Sequence, residues 1–225
     1  METNFEVRQD SLTTLGDGTV LRAPLARMGL PATLSKWDMF ALAGRMFNAK
    51  QTTIGTALAG ATADAASIVL TVPWFRFTVP TGYTVFPRRM NLAIAAHTGT
   101  VSEIAWIYTN SDSYTSGGTA ITPVNWRTDS AAPTTAVNSC VIGPSGGVIT
   151  EATLGTVRAL YQDCVPAAFA ANATDQYALN VTIEDLVPII GPASVLLYFG
   201  GVTTTPTGYL SMDWAEVLTV NVKAS

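Results

Sequence analysis

The stretch Tyr177-Ala-Leu-Asn-Val-Thr-Ile-Glu184 alternates between large apolar residues and small or polar ones. A period of two residues is typical of a β-strand with one buried face, because successive side chains of a strand point to opposite sides of the sheet. The stretch therefore predicts a strand whose Leu179 and Val181 face a core and whose Asn180 and Thr182 face water.

Similar apolar patterns recur along most of the chain after residue 66. Further strands are predicted at residues 67–72, 74–79, 90–96, 103–109, 195–199 and 214–222. Segments rich in Gly, Pro and Ser separate them, which is typical of turns. Many short strands joined by turns predict an all-β fold, an antiparallel, jelly-roll-like β-sandwich over residues 67–225.

Residues 1–66 differ from the rest and predict an N-terminal arm that carries one short helix. Ser35 can cap this helix, with Asp38 three residues later, and apolar residues follow at helical spacing as far as Phe47. The helix is apolar on two faces, so it should be buried on two sides, either as a core helix or against a neighbouring subunit. The Thr-, Ala- and Gly-rich residues 51–66 predict an extended connector.

Charge is scarce and unevenly placed. Charged residues make up 12% of the chain, against about 25% in an average soluble protein, which suggests that much of the surface is covered by partners. Residues 1–89 carry a net charge of +3 and residues 90–225 a net charge of −7, an asymmetry too mild to predict nucleic-acid binding.

Prolines and a glycine in residues 186–202 argue against a membrane-spanning helix. The N-terminus lacks the pattern of a secretory signal, so we expect synthesis in the cytosol.

Residue types that carry catalysis or bind cofactors are few. His97 is the only histidine, and no serine lies in a nucleophile elbow. Cys140 and Cys164 match neither a zinc site nor a disulfide framework, and Asp112 lacks nearby partners for calcium. We therefore predict no catalytic residue, no cofactor and no metal.

Two carboxylates offer the one enzymatic alternative. Asp213 and Glu216 flank Trp214, and a β-sandwich can hydrolyse glycosides with two acids. In the other interpretation, which we favour, Glu216 is hydrogen-bonded or paired with an arginine across a sheet or subunit boundary. For the basic doublet Arg88-Arg89 we favour an ordinary surface pair. Because strand neighbours face opposite ways, one arginine could instead contact the sheet while the other reaches a partner.

The combination of these features resembles the jelly-roll virion proteins of tailed bacteriophages. The features are the arm with its apolar helix, the Thr-, Ala- and Gly-rich connector, the low-charge sandwich and the closing segment Gly208-Tyr-Leu-Ser-Met-Asp-Trp-Ala-Glu216. In size the chain is most similar to capsid decoration or cement proteins. The resemblance is one of general style across the chain and carries over no catalytic residue.

The resemblance implies a non-enzymatic homotrimer in the virion, assembled in the host cytoplasm and attached to the major capsid protein shell through its N-terminal arm. Neither nucleic acid nor membrane is an expected partner. The alternative is a tail, fibre or carbohydrate-binding protein that attaches to host surface glycans, for which Trp74, Trp126 or Trp214 should be exposed. The residues expected at interfaces are Trp37, Phe40, Phe47, Arg88, Arg89 and Glu216.

Overall fold

The fold was examined in a computed structural model. It describes residues 6–7, 21–22, 35–50, 56–60, 68–96, 102–129, 132–143, 148–165, 178–182, 187–201 and 204–221. Within these ranges, most residues belong to antiparallel strands. Two large sheets pack face to face, and the predicted all-β sandwich with one short helix is confirmed.

One sheet has seven strands. Its main path runs β10 (Val124–Asn125), β3 (Met46–Lys50), β17 (Thr207–Leu218), β6 (Tyr83–Ala96) and β14 (Ala178–Thr182), with β4 (Leu58–Ala59) on β17 and β15 (Ile189–Ile190) on β6. The other sheet has six strands. Its order is β13 (Val157–Val165), β7 (Ser102–Thr109), β16 (Ala193–Gly201), β5 (Phe75–Val79), β11 (Asn138–Ile142) and β9 (Thr119–Ala120).

Two small ribbons and two helices complete the description. The ribbons pair β1 (Glu6–Val7) with β2 (Leu21–Arg22) and β8 (Tyr114–Ser116) with β12 (Thr150–Glu151). Helix α1 spans Lys36–Leu42, and a 3₁₀ turn, Thr219–Asn221, follows β17.

The strand pairing is that of a jelly roll. Eight strands form its framework in the chain order β3, β5, β6, β7, β13, β14, β16 and β17. The first of them pairs with the eighth, the second with the seventh, the third with the sixth and the fourth with the fifth. A long hairpin wrapped over itself produces this nesting and divides the strands between two sheets. The jelly-roll topology expected from the strand pattern is therefore present.

The core lies between the sheets and is rich in aromatic rings. Trp214 of β17 stacks on Phe77 of β5 with ring centroids 4.9 Å apart, and Trp74 meets Phe199 of β16 edge-on at 4.8 Å. All four rings are almost fully buried. Alternate residues of β5, β6 and β7 point into this core, including Met90, Leu92 and Ile94 on β6.

The helix is shorter than the sequence predicted. Ser35 and Asp38 form the expected capping box, but α1 ends at Leu42, so the prediction of a helix reaching Phe47 was wrong. Gly44 adopts φ +68° there, and a Cβ at this position would lie 2.7 Å from the Pro133 ring. The chain then turns into β3, where Phe47 enters the core between the sheets.

Other predicted boundaries also change. Strands β3 and β4 lie within residues 1–66, yet both pair with β17 of the sandwich. The segment 68–72 forms no strand in the structure, and its Ile68 packs on the outer face of the six-stranded sheet. The last strand begins at Thr207 and ends at Leu218, earlier than predicted at both ends. His97 lies outside the described residues.

Candidate interaction surface

Helix α1 covers one end of the outer face of the seven-stranded sheet. Trp37 of the helix packs on Met46 of β3 and Ala215 of β17, two residues whose strand neighbours point into the core. Phe40 stacks on Phe86 of β6 with ring centroids 6.1 Å apart. The apolar side of the helix is therefore buried against the chain's own sheet, while Leu42 at its end is 66% exposed.

A β-bulge in β6 places Arg88 beside this helix. Asp213 of β17 lies opposite Arg89, and Trp214 lies opposite Pro87, so Arg88 has no counterpart in the ladder. The bulge changes the alternation, and both arginines reach the outer face of the sheet. The prediction that they face opposite ways was wrong, because a bulge adds a residue that the period of two does not allow for.

Arg88 lies between two tryptophan rings. Its guanidinium carbon is 5.6 Å from the ring centroid of Trp37 and 5.0 Å from that of Trp126. Such distances allow a cation–π attraction to each ring. Trp126 follows the edge strand β10 and is fixed by its backbone N–H, which donates to the Met46 carbonyl. Its side chain remains 41% exposed, so it presents an indole beside a cation at the surface.

Charged groups surround this pair of rings. The ammonium of Lys36 lies 5.1 Å from the Trp37 ring centroid. Hydrogen bonds from the Ser35 side chain and backbone, helped by the charge of Arg88, hold the pKa of Asp38 below its ordinary value. We name this surface, made of Lys36, Trp37, Arg88, Arg89 and Trp126, the Arg88 surface.

A polar network borders the Arg88 surface. The Arg89 Nε lies 3.3 Å from Oδ2 of Asp213, and the Asn48 amide donates to Oδ1 of the same carboxylate at 2.6 Å. Asp213 is buried, while half of the Arg89 side chain is exposed. The carboxylate thus holds Arg89 in place on the sheet and leaves part of its guanidinium open to a partner.

Glu216 lies on the opposite face of β17 and fastens a loop to it. Its carboxylate accepts hydrogen bonds from the Trp214 indole N–H at 2.7 Å, from the Ala136 backbone N–H at 2.7 Å and from the Thr135 hydroxyl. The residue is almost fully buried. Glu216 is therefore hydrogen-bonded inside the chain, and it faces away from Asp213 rather than sharing a site with it.

The six interface residues predicted from the sequence separate into two groups. Trp37, Phe40, Arg88 and Arg89 come together on the outer face of the seven-stranded sheet. Phe47 and Glu216 lie in the interior of the chain instead. Of the three tryptophans considered for glycan binding, Trp74 and Trp214 are buried, and only Trp126 is exposed.

A buried ionic cluster on the outer face of the six-stranded sheet was missed by the sequence analysis. Arg76 of β5 is fully buried; its Nε lies 2.8 Å from Oε1 of Glu151 on β12, and its Nη2 donates to Oδ1 of Asp112 at 3.1 Å. The Tyr114 ring covers the guanidinium at 4.7 Å. Arg76 was overlooked because it lies between Phe75 and Phe77, where alternation alone suggests a residue facing solvent.

The cluster fixes a ribbon to the sheet. Burial raises the pKa of Glu151, although a hydrogen bond from Ser113 and the charge of Arg76 oppose this rise. Burial also acts to raise the pKa of Asp112, but hydrogen bonds from Tyr114 and Thr78 and the charge of Arg76 together hold it below the ordinary value. The three charges bind the β8–β12 ribbon to β5, and Asp112 is committed to an arginine rather than to calcium.

The two cysteines differ in burial. Cys140 is buried in the core, and burial raises the pKa of its thiol to about 12, while Cys164 on β13 is exposed. Among the described residues, no group of three or more His, Cys, Asp or Glu side chains could hold a metal ion. The same part of the chain contains no helix with the length and apolar character needed to cross a membrane.

Comparison of the chain with protein families, curated proteins and solved structures found no match.

Proposed function

We propose that this protein is a non-enzymatic structural component of a phage virion, a jelly-roll subunit that decorates the capsid shell as a homotrimer. Its attachment combines the N-terminal arm with the Arg88 surface. The observation that carries the proposal is the exposed Trp126 ring beside Arg88, on the face covered by helix α1. Exposed tryptophan and arginine side chains are the residues that most often dominate binding energy at protein interfaces.

The use of charge in the chain supports a structural role. The two acids that suggested hydrolysis lie on opposite faces of β17, and each is occupied by hydrogen bonds or an ion pair. Arg76 and Glu151 likewise serve to fasten a ribbon to the sheet. The resemblance to phage decoration proteins and the jelly-roll topology agree with this role, although a jelly roll also occurs in lectins and other proteins.

Shell attachment can be tested by co-sedimentation with empty shells of the phage that encodes the chain. We expect Trp126→Ala and Arg88→Glu to reduce the bound fraction at least tenfold, since a hot-spot residue contributes about 2 kcal/mol or more. Thr119→Glu, at an exposed position on β9 of the other sheet, is the control and should bind like the wild type. Equal binding by all four proteins would contradict the proposal.

The arm requires a separate deletion. Residues 1–34 can be removed without touching α1 or β3, whereas a cut at residue 50 would remove β3, which pairs with both β10 and β17 in the seven-stranded sheet. We expect the shortened chain to fold and to lose attachment or trimer formation. A shortened chain that still forms trimers and decorates shells would show that the arm has no part in either.

Glycan binding is the second candidate, and the exposure of Trp126 is the observation that favours it. An exposed indole can stack on a sugar ring, and Arg88 beside it would suit an acidic sugar. This role predicts a signal on a glycan array that Trp126→Ala abolishes. A glycan signal that Trp126→Ala abolishes, together with no binding of the wild type to shells, would replace the decoration proposal with this one.

A further inference from the structure

Strand β13 is the outermost strand of the six-stranded sheet in the part of the chain that the structure describes. It is nine residues long, and β7 is the one strand that pairs with it among the described residues. The side chains of Val157, Arg158 and Ala159 are exposed, as are those of Gln162 and Cys164. An edge strand of this length presents a row of backbone N–H and C=O groups that another strand can pair with.

A bulge at Leu160 places the two charges of β13 on one side of the strand. Arg158 lies opposite Tyr108 of β7 and Asp163 lies opposite Ile104, while Leu160 has no counterpart. Tyr108 and Ile104 both face the core between the sheets. Without the bulge, residues 158 and 163 would face opposite ways, because five positions separate them.

The arrangement of these charges is self-complementary. Tyr161 lies midway in the pairing register between Arg158 and Asp163, and its hydroxyl donates to Oδ2 of Asp163 at 2.8 Å. If two copies of the strand run antiparallel about a twofold axis at Tyr161, each Arg158 lies opposite Asp163 of the other copy. Opposite charges placed across two strands stabilise their pairing, and two such pairs form at once.

We propose that β13 is a self-association surface, on which a second copy of this chain adds its own β13 in antiparallel orientation. The two six-stranded sheets then continue across the contact as one sheet. In this register Val157 of one copy lies opposite Cys164 of the other, and both face the outer side of the sheet. The contact is twofold and lies on the other sheet from the Arg88 surface, so it does not depend on the proposed function.

A charge exchange tests the proposal. We expect sedimentation velocity to show association of the wild type, weakening by roughly tenfold to thirtyfold in Arg158→Asp, where two pairs of like charges meet. The double variant Arg158→Asp with Asp163→Arg restores opposite charges and should recover association. The test compares the strength of association among the wild type and the two variants. The expected order is the same whether the unit that associates is one chain or a trimer.

A disulfide provides a second readout that needs no stable dimer. Val157→Cys should form a covalent dimer with the native Cys164 of another copy under mild oxidation, because residues directly opposite on antiparallel strands lie within disulfide reach. Wild type and Val157→Cys with Cys164→Ser are the matched controls and should stay uncrosslinked. Within one chain the two positions are seven residues apart on an extended strand and cannot be bridged.

The outcome that overturns the proposal is also defined by the structure. Bulges and inward-facing charges on an edge strand can serve to keep other chains from pairing with it. If β13 is protected in this way, all charge variants will sediment alike, and Val157→Cys will give no more covalent dimer than its control. These two results together would assign Arg158 and Asp163 to edge protection.

Discussion

Replacing Glu216 with alanine tests whether this buried acid holds the fold together. The substitution removes the acceptor of three hydrogen bonds, among them those of the buried Trp214 indole N–H and the partly buried Ala136 backbone N–H. The Thr135 hydroxyl can rotate to another acceptor, but the two N–H groups are fixed by the ring and the backbone. A buried donor without a partner costs about 1–3 kcal/mol, so the expected loss is roughly 2–6 kcal/mol.

Urea unfolding followed by tryptophan fluorescence measures this loss. With a slope of about 2–3 kcal/mol per molar urea, the midpoint for Glu216→Ala should fall by roughly 0.7–3 M. Glu216→Gln keeps one acceptor oxygen but turns its amide N–H group toward one of the donors. Its urea midpoint should therefore lie between those of Glu216→Ala and the wild type. Asp129→Asn is the control, since Asp129 pairs with Arg127 at an exposed position and should leave the midpoint unchanged.

The same experiment separates a structural acid from a catalytic one. Active-site residues often reduce stability, and their replacement commonly leaves the fold as stable as before or more so. A midpoint for Glu216→Ala equal to or above that of the wild type would refute the assignment of Glu216 as a fastening residue.

The remaining predictions concern the buried cluster and the cysteines. Arg76→Met should destabilise the chain by about 3–5 kcal/mol, because Glu151 loses its buried cation. Adding Glu151→Leu should recover most of that loss. Urea unfolding in which the destabilising effects of the two substitutions simply add would contradict this. Burial raises the pKa of Glu151 in the folded chain. The stability that Glu151 contributes is therefore complete below its ordinary pKa of 4.5 and is lost as the pH rises through its raised pKa in the folded chain. The urea midpoint of the wild type should therefore fall relative to that of Glu151→Gln as the pH increases above 4.5. A difference between the two midpoints that does not change with pH would contradict the raised pKa of Glu151. A thiol reagent at about pH 8 should modify Cys164 alone in the native chain and Cys140 only after unfolding, since burial raises the Cys140 pKa to about 12; rapid modification of both thiols would contradict the buried position.

Alternation of apolar residues was enough to predict the fold class. The patterns at residues 75–79, 90–94 and 104–108 correspond to strands whose large side chains fill the core. The continuous apolar run in β16 is covered on both sides. These predictions succeed because burial of one strand face is a local requirement that each strand meets with its own residues.

The errors arose where a distant part of the chain decides the conformation. The spacing of Trp37, Phe40, Gly44 and Phe47 fits a helix, but Gly44 meets Pro133, and Phe47 pairs with Trp214 of β17. Residues 43–50 therefore leave the helix for a sheet whose other strands come from much later in the chain. Tertiary pairing overrides local spacing in such a segment.

The candidate surface was only partly predictable for the same reason. Trp37 and Arg88 could each be selected from the sequence, but the bulge that brings them together depends on the register between β6 and β17. Trp126 follows the two-residue strand β10, which is too short for a period to be recognised. The partners of Arg76 come from β12 and from the turn before β8, and nothing in the local sequence indicates them.

Imaging by cryo-electron microscopy of empty phage shells, incubated with the purified protein, tests the central claim most directly. We expect density for the jelly roll at regular positions on the shell, with helix α1 and Trp126 toward the shell. The same preparation with Arg88→Glu should show few occupied positions. Shells that stay bare with the wild-type protein, or subunits that bind with the Arg88 surface toward solvent, would contradict the account.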